Sequence, residues 1–352
     1  TSLKAFRDRF KLPLTDEQLE RLDYIKPDKD SPEYQYMVER RMALGGFVPS
    51  RRRKAAALEV PALSIFDALL KASGEGREFS TTMAFVRLLG ILLKDKNLGR
   101  HVVPIVADES RTFGMEGLFR QIGIWSSVGQ LYTPQDRDQL MFYKEDKNGQ
   151  ILQEGINEAG AMCSWIAAAT AYSTHGVPMI PFFIYYSMFG VQRTGDLWWA
   201  AGDSRARGFL LGGTAGRTTL NGEGLQHEDG HSHVSAAQIP NCIPYDPTFA
   251  YELAVIMHDG LRRMVQEQED VYYYITVMNE NYAHPELPAG AEAGILKGMY
   301  RFKQGGAGQT RVQLLGSGAI LNEVIAAANL LKKDWNVEAD IWSCPSFTLL
   351  AR

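Results

Sequence analysis

The segment "VPMIPFFIYYSM" (residues 177–188) is apolar or aromatic almost throughout and carries no charge. A strand that is hydrophobic on both faces belongs in the centre of a parallel sheet, because helices then cover both sides of the sheet. Further strand candidates occur before and after it, with helical patterns between most of them: "HVVPIVADES", "RGFLLGGT", "IPNCIPYDP" and "VYYYITVMN". This alternation predicts an α/β fold with a mostly parallel sheet flanked by helices.

The chain divides into three predicted parts: a helical linker (residues 1–55), a middle domain (56–287) and the start of a second α/β domain (288–352). Thr15 is the expected N-cap of a helix in the linker. The second boundary is expected in the Pro-, Gly- and Ala-rich segment "NENYAHPELPAGAEAG". We expect the chain to be a fragment, because it begins with Thr1 rather than Met and ends just after a strand pattern.

Residues 311–344 predict a strand–helix–strand unit. The Gly316-Ser317-Gly318 turn inside this unit resembles half of a dinucleotide-binding fingerprint. The third glycine and the distal acid of that motif are not in place, so we interpret the segment as a tight turn.

Composition and charge argue against several classes of protein. The net charge is −4, which gives no footprint for a nucleic acid or an anionic membrane. No uninterrupted apolar run reaches the roughly 18 residues of a transmembrane helix, and no signal peptide is recognisable. The three cysteines, Cys163, Cys242 and Cys344, form no CxxC pair, which argues against a disulfide framework or a zinc ribbon and fits a reducing cytoplasm.

Glu158 stands between two glycines in "GINEAG", at the start of a long apolar stretch, with no Lys or Arg within five residues on either side. One explanation is a first-turn acid of a helix capped by Asn157, where a carboxylate meets unpaired N–H groups and the positive end of the helix dipole. The other is a buried carboxylate that serves a ligand. The residues alone leave both open.

Two further clusters lie where an α/β protein binds ligands. Asp108 and Glu109 follow a strand, and ligands bind at the carboxyl ends of strands in open sheets; a solvated strand end is the alternative. The segment "PFFIYYSMFGVQR" carries Tyr186, Phe189 and Arg193, which suit a flat heterocycle and an anion. Core packing is the alternative for its aromatic residues.

A histidine-rich segment, "LQHEDGHSHV", places three imidazoles and two carboxylates close together: His227, Glu228, Asp229, His231 and His233. Taken alone, this set suggests a metal site. The spacing matches no helical zinc motif, and the glycines indicate a loop. A polar loop that carries catalytic imidazoles is therefore the competing interpretation.

In this order, the four clusters resemble the pyrimidine-binding domain of transketolase-type thiamine-diphosphate enzymes. More closely, the chain resembles the decarboxylating pyruvate dehydrogenases of the homodimeric bacterial type, through "VADESRTFGMEGLFRQIGIW", "GINEAGAM", "NENYAHP" and the whole of residues 180–233. The resemblance covers a linker, the middle domain and the first part of the carboxyl-terminal domain. The family's amino-terminal domain, whose GDG…N motif binds the diphosphate and Mg²⁺, is not matched: Gly202-Asp203 is followed by Ser204. We therefore assign no metal ligands in this chain.

The resemblance implies a role for each candidate residue. Glu158 would hydrogen-bond the aminopyrimidine ring nitrogen, and apolar surroundings without a nearby Lys or Arg would let it share a proton with that atom. Phe189 would stack on the ring, and His227 would lie near the reactive carbon. The candidate catalytic residues are Glu158, His227, Glu109 and His231; the candidate cofactor-binding residues are Glu158, Phe189, Tyr186, Arg193, Glu109 and Asp108.

The resemblance also implies a reaction and partners. The reaction is oxidative decarboxylation of pyruvate with thiamine diphosphate and Mg²⁺, followed by transfer of the acetyl unit to the lipoyl group of a dihydrolipoyl acetyltransferase. The site is expected at a homodimer interface. Alternatives are another transketolase-type enzyme, such as a 2-oxoglutarate dehydrogenase or a transketolase, or a non-catalytic fragment with a His-rich metal-binding loop. The segments "DESRTFGMEGLF" and "HEDGHSH" favour pyruvate.

Residues 128–148 mix charged and apolar side chains in a long polar segment without clear periodicity. Loops of this length inside a compact domain are commonly functional. We expect a lid that is mobile without substrate and ordered by a bound reaction intermediate.

Overall fold

The computed structural model describes residues 2–47, 51–107, 110–135, 143–215, 224–308 and 310–352. By contacts, the chain separates into two compact units, residues 1–51 and 52–352. The predicted domain boundaries after residues 55 and 287 stay predictions.

The first unit consists of three helices, α1 (Ser2–Phe10), α2 (Asp16–Arg21) and α3 (Pro32–Ala43). Thr15 caps α2 as predicted: its hydroxyl accepts a hydrogen bond from the Gln18 N–H, and the Gln18 side chain accepts one from the Thr15 N–H. Such a reciprocal pair satisfies backbone donors that the helix itself leaves unpaired.

In the described part of the second unit, six strands form one sheet in the order β4-β1-β5-β6-β8-β7, and every neighbouring pair is parallel. The strands are β1 (Val102–Val106), β4 (Leu152–Gln153), β5 (Ile180–Tyr186), β6 (Phe209–Gly213), β7 (Cys242–Tyr245) and β8 (Tyr272–Thr276). Two short strands, β2 (Ile124–Trp125) and β3 (Glu145–Asp146), pair separately. The predicted parallel α/β sheet is confirmed, with the apolar run as its interior strand β5.

Helices cover both faces of this sheet: α4 (Asp67–Leu70), α5 (Thr81–Lys94), α6 (Gly117–Ile122), α7 (Glu158–Ala169), α8 (Ala171–Thr174), α9 (Val191–Asp203), α10 (Ser232–Ala237) and α11 (Ala250–Leu261). Alternate residues of β5 pack into two separate hydrophobic cores, one on each face of the sheet. Phe182 and Ile184 pack in the core that includes α5 and α11, while Phe183 and Tyr185 pack in the core that includes α7 and α9. Burying a side chain of this size contributes roughly 1.5–3 kcal/mol, so β5 fixes both layers.

The carboxyl-terminal lobe comprises α12 (Glu292–Lys297), β9 (Tyr300–Lys303), β10 (Arg311–Gly316), α13 (Ile320–Trp335), β11 (Glu338–Ser343) and α14 (Phe347–Ala351). Its sheet is mixed: β10 and β11 are parallel, and β9 pairs antiparallel with β11. The predicted strand–helix–strand unit is thus confirmed.

Two buried carboxylates attach this lobe to the larger sheet. Asp246 accepts hydrogen bonds from the hydroxyls of Ser317 and Thr276, each at 2.6 Å, so the glycine-serine turn binds a protein carboxylate. Glu252 accepts from the hydroxyls of Tyr300 at 2.7 Å and Ser343 at 2.6 Å. Among the described residues, no helix combines the length and apolarity needed to cross a membrane.

Candidate active site

A cavity of about 290 Å³ lies at the carboxyl ends of β1 and β5, beside the start of α7. This is the edge at which open α/β sheets bind ligands. Five residues that line the cavity were predicted from the sequence: Glu158, Tyr186, Phe189, Arg193 and His227. Four further lining residues were not predicted: Ala107, Phe113, Ile156 and Tyr185. A second cavity, of about 340 Å³, lies against the glycine-serine turn; it is lined by His233 of the histidine-rich segment but by none of the candidate catalytic or cofactor-binding residues.

Glu158 is the first residue of α7, and its carboxylate lines the cavity with only 12% of the side chain exposed. The Asn157 side chain accepts a hydrogen bond from the Gly160 N–H at 3.0 Å, as expected of an N-cap. Ala161, Met162 and Trp165 bury the helix on the sheet. The first explanation is therefore confirmed, because Glu158 begins a helix. That helix places it at the wall of a cavity, and its service to a ligand stays a prediction.

Arg193 corrects the expectation that no cation lies near Glu158. The Arg193 Nη1 atom lies 3.1 Å from Glu158 Oε1, and the guanidinium carbon lies 4.0 Å from the centre of the Phe189 ring. The two residues are 35 positions apart in sequence, so neighbours along the chain could not reveal the pair. The chain passes from α7 through β5 to the first turn of α9, which brings Arg193 back to the same edge.

The rings of Tyr186, Phe189 and His227 form an edge-to-face cluster. The centroids of Tyr186 and His227 are 4.7 Å apart, and those of Phe189 and His227 are 5.1 Å apart, with steep interplanar angles of 82° and 71°. Such geometry places the positive edge of one ring against the negative face of another. The turn after β5 requires glycine at position 190, since a Cβ there would lie 2.2 Å from the Tyr185 ring.

His227 brings an unpaired nitrogen to this cluster. It lies in the 3-10 turn Leu225–His227, and its Nδ1 atom is buried without a hydrogen-bond partner in the described part of the chain. A buried polar atom without a partner is uncommon and calls for an explanation such as a ligand or catalytic role. An imidazole nitrogen can either donate or accept a hydrogen bond, according to its tautomer.

The rest of the histidine-rich segment does not reach the cavity. Asp229 is buried and accepts hydrogen bonds from the backbone N–H groups of His231 at 3.1 Å and Ser232 at 3.0 Å, so it caps α10. His231 itself is exposed. His233 lies 2.8 Å from the Thr276 hydroxyl. No group of three or more His, Cys, Asp or Glu within the described ranges is arranged to hold a metal ion.

Asp108 and Glu109 lie outside the described residues. Tyr185, which the sequence analysis missed, is buried at the cavity, and burial raises the pKa of its phenol well above the ordinary value. Its hydroxyl has no partner among the residues that the structure describes. Its place directly before Tyr186 on a strand that is buried on both faces was the available signal.

The predicted lid at residues 128–148 contains more structure than expected. Glu145 belongs to β3, and its Oε1 atom accepts hydrogen bonds from the hydroxyls of Tyr132 at 2.9 Å and Tyr143 at 3.0 Å. These contacts tie both ends of the segment to the short β2–β3 pair. Residues 136–142 lie outside the described residues, and lid closure stays a prediction.

Comparison with known proteins identifies the family. Residues 58–285 match the family described as "Pyruvate dehydrogenase E1 component middle domain", and residues 298–352 match "Transketolase-like TK C-terminal domain". The chain belongs to the pyruvate dehydrogenase E1 component family. The resemblance inferred from the motifs is thereby confirmed.

The chain spans about two fifths of the length of its curated relatives. It is 72% identical to the pyruvate dehydrogenase E1 component of Cupriavidus necator, which it matches over 100% of this chain and 39% of the relative. It is 60% identical to the corresponding component of Escherichia coli K12, over 99% of this chain and 40% of the relative.

Solved structures of transketolases share the fold. The enzyme from Leishmania mexicana superposes with a TM-score of 0.62 at 16% identity, covering 83% of this chain and 38% of its own. The enzyme from Campylobacter jejuni gives 0.60 at 17% identity, covering 81% and 38%. At such identities the likeness concerns the fold alone.

Proposed function

We propose that the intact protein carrying this chain catalyses thiamine-diphosphate-dependent oxidative decarboxylation of pyruvate and passes the acetyl unit to the lipoyl group of a dihydrolipoyl acetyltransferase. The names of its relatives support this reaction class. The observation that carries the proposal is the common cavity of Glu158, Phe189 and His227, at the edge of the sheet where such a ligand binds.

The cavity fits one end of the proposed cofactor. It offers a largely buried carboxylate on Glu158, the flat ring of Phe189 and the unpaired Nδ1 of His227. A heterocycle that carries both a ring nitrogen and an amino group needs such an acceptor and such an aromatic face. The cavity volume of about 290 Å³ is near the lower end of the range for small-molecule sites. Glu158 and Phe189 would therefore hold the aminopyrimidine, with Tyr186 beside it.

The bound cofactor would supply a nucleophilic carbon and an electron sink for the decarboxylation. This chain's residues have three tasks around it. Glu158 exchanges a proton with the ring nitrogen through a carboxylate oxygen, and His227 Nδ1 orients the substrate by a hydrogen bond. Phe113 and Phe189 contribute apolar walls that keep water from the reacting atoms.

The Mg²⁺ ligands would lie outside this chain and the complete site would form in a homodimer, as the resemblance implies. The three cysteines are free thiols, in keeping with a cytoplasmic protein. No observation favours the alternative of a metal-binding function, because no group of three or more His, Cys, Asp or Glu within the described ranges could hold a metal ion.

Substitution of Glu158 tests the proposal in the intact protein. Glu158→Gln keeps a hydrogen-bond acceptor but cannot pass on a proton, so pyruvate turnover should fall by about 10²-fold or more. Glu154→Gln is the matched control, because Glu154 accepts a hydrogen bond from the Ser164 hydroxyl and does not line the cavity. Near-normal turnover of the Glu158 variant would refute the proposed role. A preference for 2-oxoglutarate or a sugar phosphate over pyruvate would favour the other transketolase-type enzymes.

A further inference from the structure

The turn that carries His227 is attached to the body of the protein at Asp229. Leu225 and Glu228, on either side of the histidine, are exposed. The His227 N–H donates to the Gly224 carbonyl at 3.1 Å, so this hydrogen bond stays within the turn. The Glu228 N–H likewise donates to the Leu225 carbonyl at 3.1 Å. Asp229 follows directly and is completely buried, so it is the point at which the turn enters the core.

The Asp229 carboxylate joins this turn to α10. Its Oδ1 atom accepts hydrogen bonds from the backbone N–H groups of His231 at 3.1 Å and Ser232 at 3.0 Å, and its Oδ2 atom accepts one from the Ser232 hydroxyl. Hydrogen bonds to an ionised acceptor are stronger than those between neutral groups, and a helix start favours a negative charge. Since only Glu228 separates Asp229 from His227, a shift of the carboxylate also shifts the imidazole.

The carboxyl-terminal lobe holds the other end of α10 through Arg352. Its Nη2 atom donates to the carbonyl of Ala237, the last residue of α10, at 2.9 Å and to that of Ile239 at 3.0 Å. Its Nη1 atom donates to the carbonyl of Cys242, the first residue of β7, at 3.0 Å. The last carbonyls of a helix have no partner within the helix and attract a cation. The guanidinium therefore ties the end of α10 to both the sheet and the lobe.

We propose that α10 is the platform that positions His227: Asp229 fixes the histidine turn to one end of the helix, and Arg352 fixes the other end. Neither residue is among those that line the cavity, so both would act through His227. The inference rests on the proposed function, which gives His227 a hydrogen bond to the substrate. Displacing such a group by about 1 Å can cost 10²-fold in rate. If the rings of Tyr186 and Phe189 alone placed His227, folded variants at Asp229 and Arg352 would keep their turnover.

Pyruvate turnover by the intact protein with thiamine diphosphate and Mg²⁺ tests the platform. Asp229→Ala should lower kcat by about tenfold or more, while the affinity for thiamine diphosphate stays at the wild-type value. Asp229→Asn keeps an oxygen that accepts from both N–H groups and should recover most of the turnover. In a His227→Ala background, Asp229→Ala should cause no further loss, because the positioned group is gone. An equal loss in both backgrounds overturns the platform.

Arg352 supplies a second variant, which decides the test even where alanine at position 229 prevents folding. Its side chain is exposed, and Arg352→Met leaves Asp229 in place. This variant should lower kcat by about threefold or more, again only while His227 is present. The control is Arg301→Met, at an exposed position on β9 of the same lobe, which should turn over pyruvate as wild type. Equal turnover of the two arginine variants contradicts the platform.

The His227→Ala variant alone separates this inference from the proposed function. Wild-type turnover in that variant would remove His227 from the proposed reaction, whatever Asp229 and Arg352 do. A large loss in His227→Ala, with no loss in folded Asp229→Ala or Arg352→Met, would leave the proposed function intact and refute the platform.

Discussion

Glu252 is expected to be the main polar attachment of the carboxyl-terminal lobe. Its buried carboxylate accepts hydrogen bonds from the hydroxyls of Tyr300 at 2.7 Å and Ser343 at 2.6 Å, and from the backbone N–H groups of Thr248 at 2.5 Å and Phe249 at 3.2 Å. Glu252→Ala leaves these donors without their acceptor. Each orphaned buried group costs about 1–3 kcal/mol.

The Tyr300 hydroxyl retains the Tyr251 hydroxyl at 2.5 Å as a partner, so not every donor is lost. We expect Glu252→Ala to destabilise the protein by roughly 3–6 kcal/mol, a large part of a typical total stability. Glu252→Gln keeps one oxygen and should cost about 1–2 kcal/mol. Hydrogen exchange of the β9 and β11 amides is the assay. Wild-type protection of these strands in Glu252→Ala would show that apolar packing alone holds the lobe.

The dependence on pH gives a second readout for Glu252. Burial raises the pKa of its carboxyl, and the hydrogen bonds only partly oppose this shift. A raised folded-state pKa means that the associated stability is present below the unfolded value of about 4.5 and is lost as pH rises through the folded value. Glu252→Gln, which does not ionise, should therefore lose less stability than wild type between pH 4.5 and neutrality. Parallel stability profiles of the two proteins would contradict the raised pKa.

Two further predictions concern histidines. His227→Ala should lower pyruvate turnover by about 10²-fold while cofactor binding survives. His175 is exposed, and His175→Ala should leave turnover unchanged. Equal effects of the two changes would show that His227 takes no part in the reaction. His284 is buried, with Nδ1 accepting from the Ala250 N–H and Nε2 facing the Phe79 carbonyl, and burial lowers its pKa. Because the folded state favours the neutral imidazole, the free energy of unfolding of the wild type should fall as pH drops below about 6.5, by up to ~1.4 kcal/mol per pH unit. In urea titrations, His284→Gln should flatten this dependence on pH. An unchanged dependence in the variant would refute the prediction.

Local sequence patterns were sufficient to predict the parallel sheet and the start of α7. An uncharged run of apolar and aromatic residues of strand length is typical of an interior strand that is buried on both faces, which is the position of β5. Asn157 and Glu158 suit the unpaired N–H groups at a helix start, whatever lies around them. Features of this kind depend on neighbours in sequence, and for that reason the residues alone predicted them.

The Arg193–Glu158 pair could not be predicted from the sequence, because it depends on how α7, β5 and α9 bring distant residues to one edge of the sheet. The same holds for Tyr185, which belongs to the core of α7 and α9 and also lines the cavity, whereas its neighbour Tyr186 belongs to the aromatic cluster. His231 lies close to His227 in sequence, but the start of α10 leaves it exposed and away from the residues that line the cavity, so its role stays a prediction. Contacts between distant segments require the fold itself.

A crystal structure of the intact protein with thiamine diphosphate and Mg²⁺ tests the central claim most directly. The account predicts a Glu158 carboxylate oxygen within about 2.6–3.2 Å of the pyrimidine ring nitrogen. It also predicts that the pyrimidine stacks on Phe189. A pyrimidine ring bound elsewhere, away from Glu158 and Phe189, would contradict the proposed site.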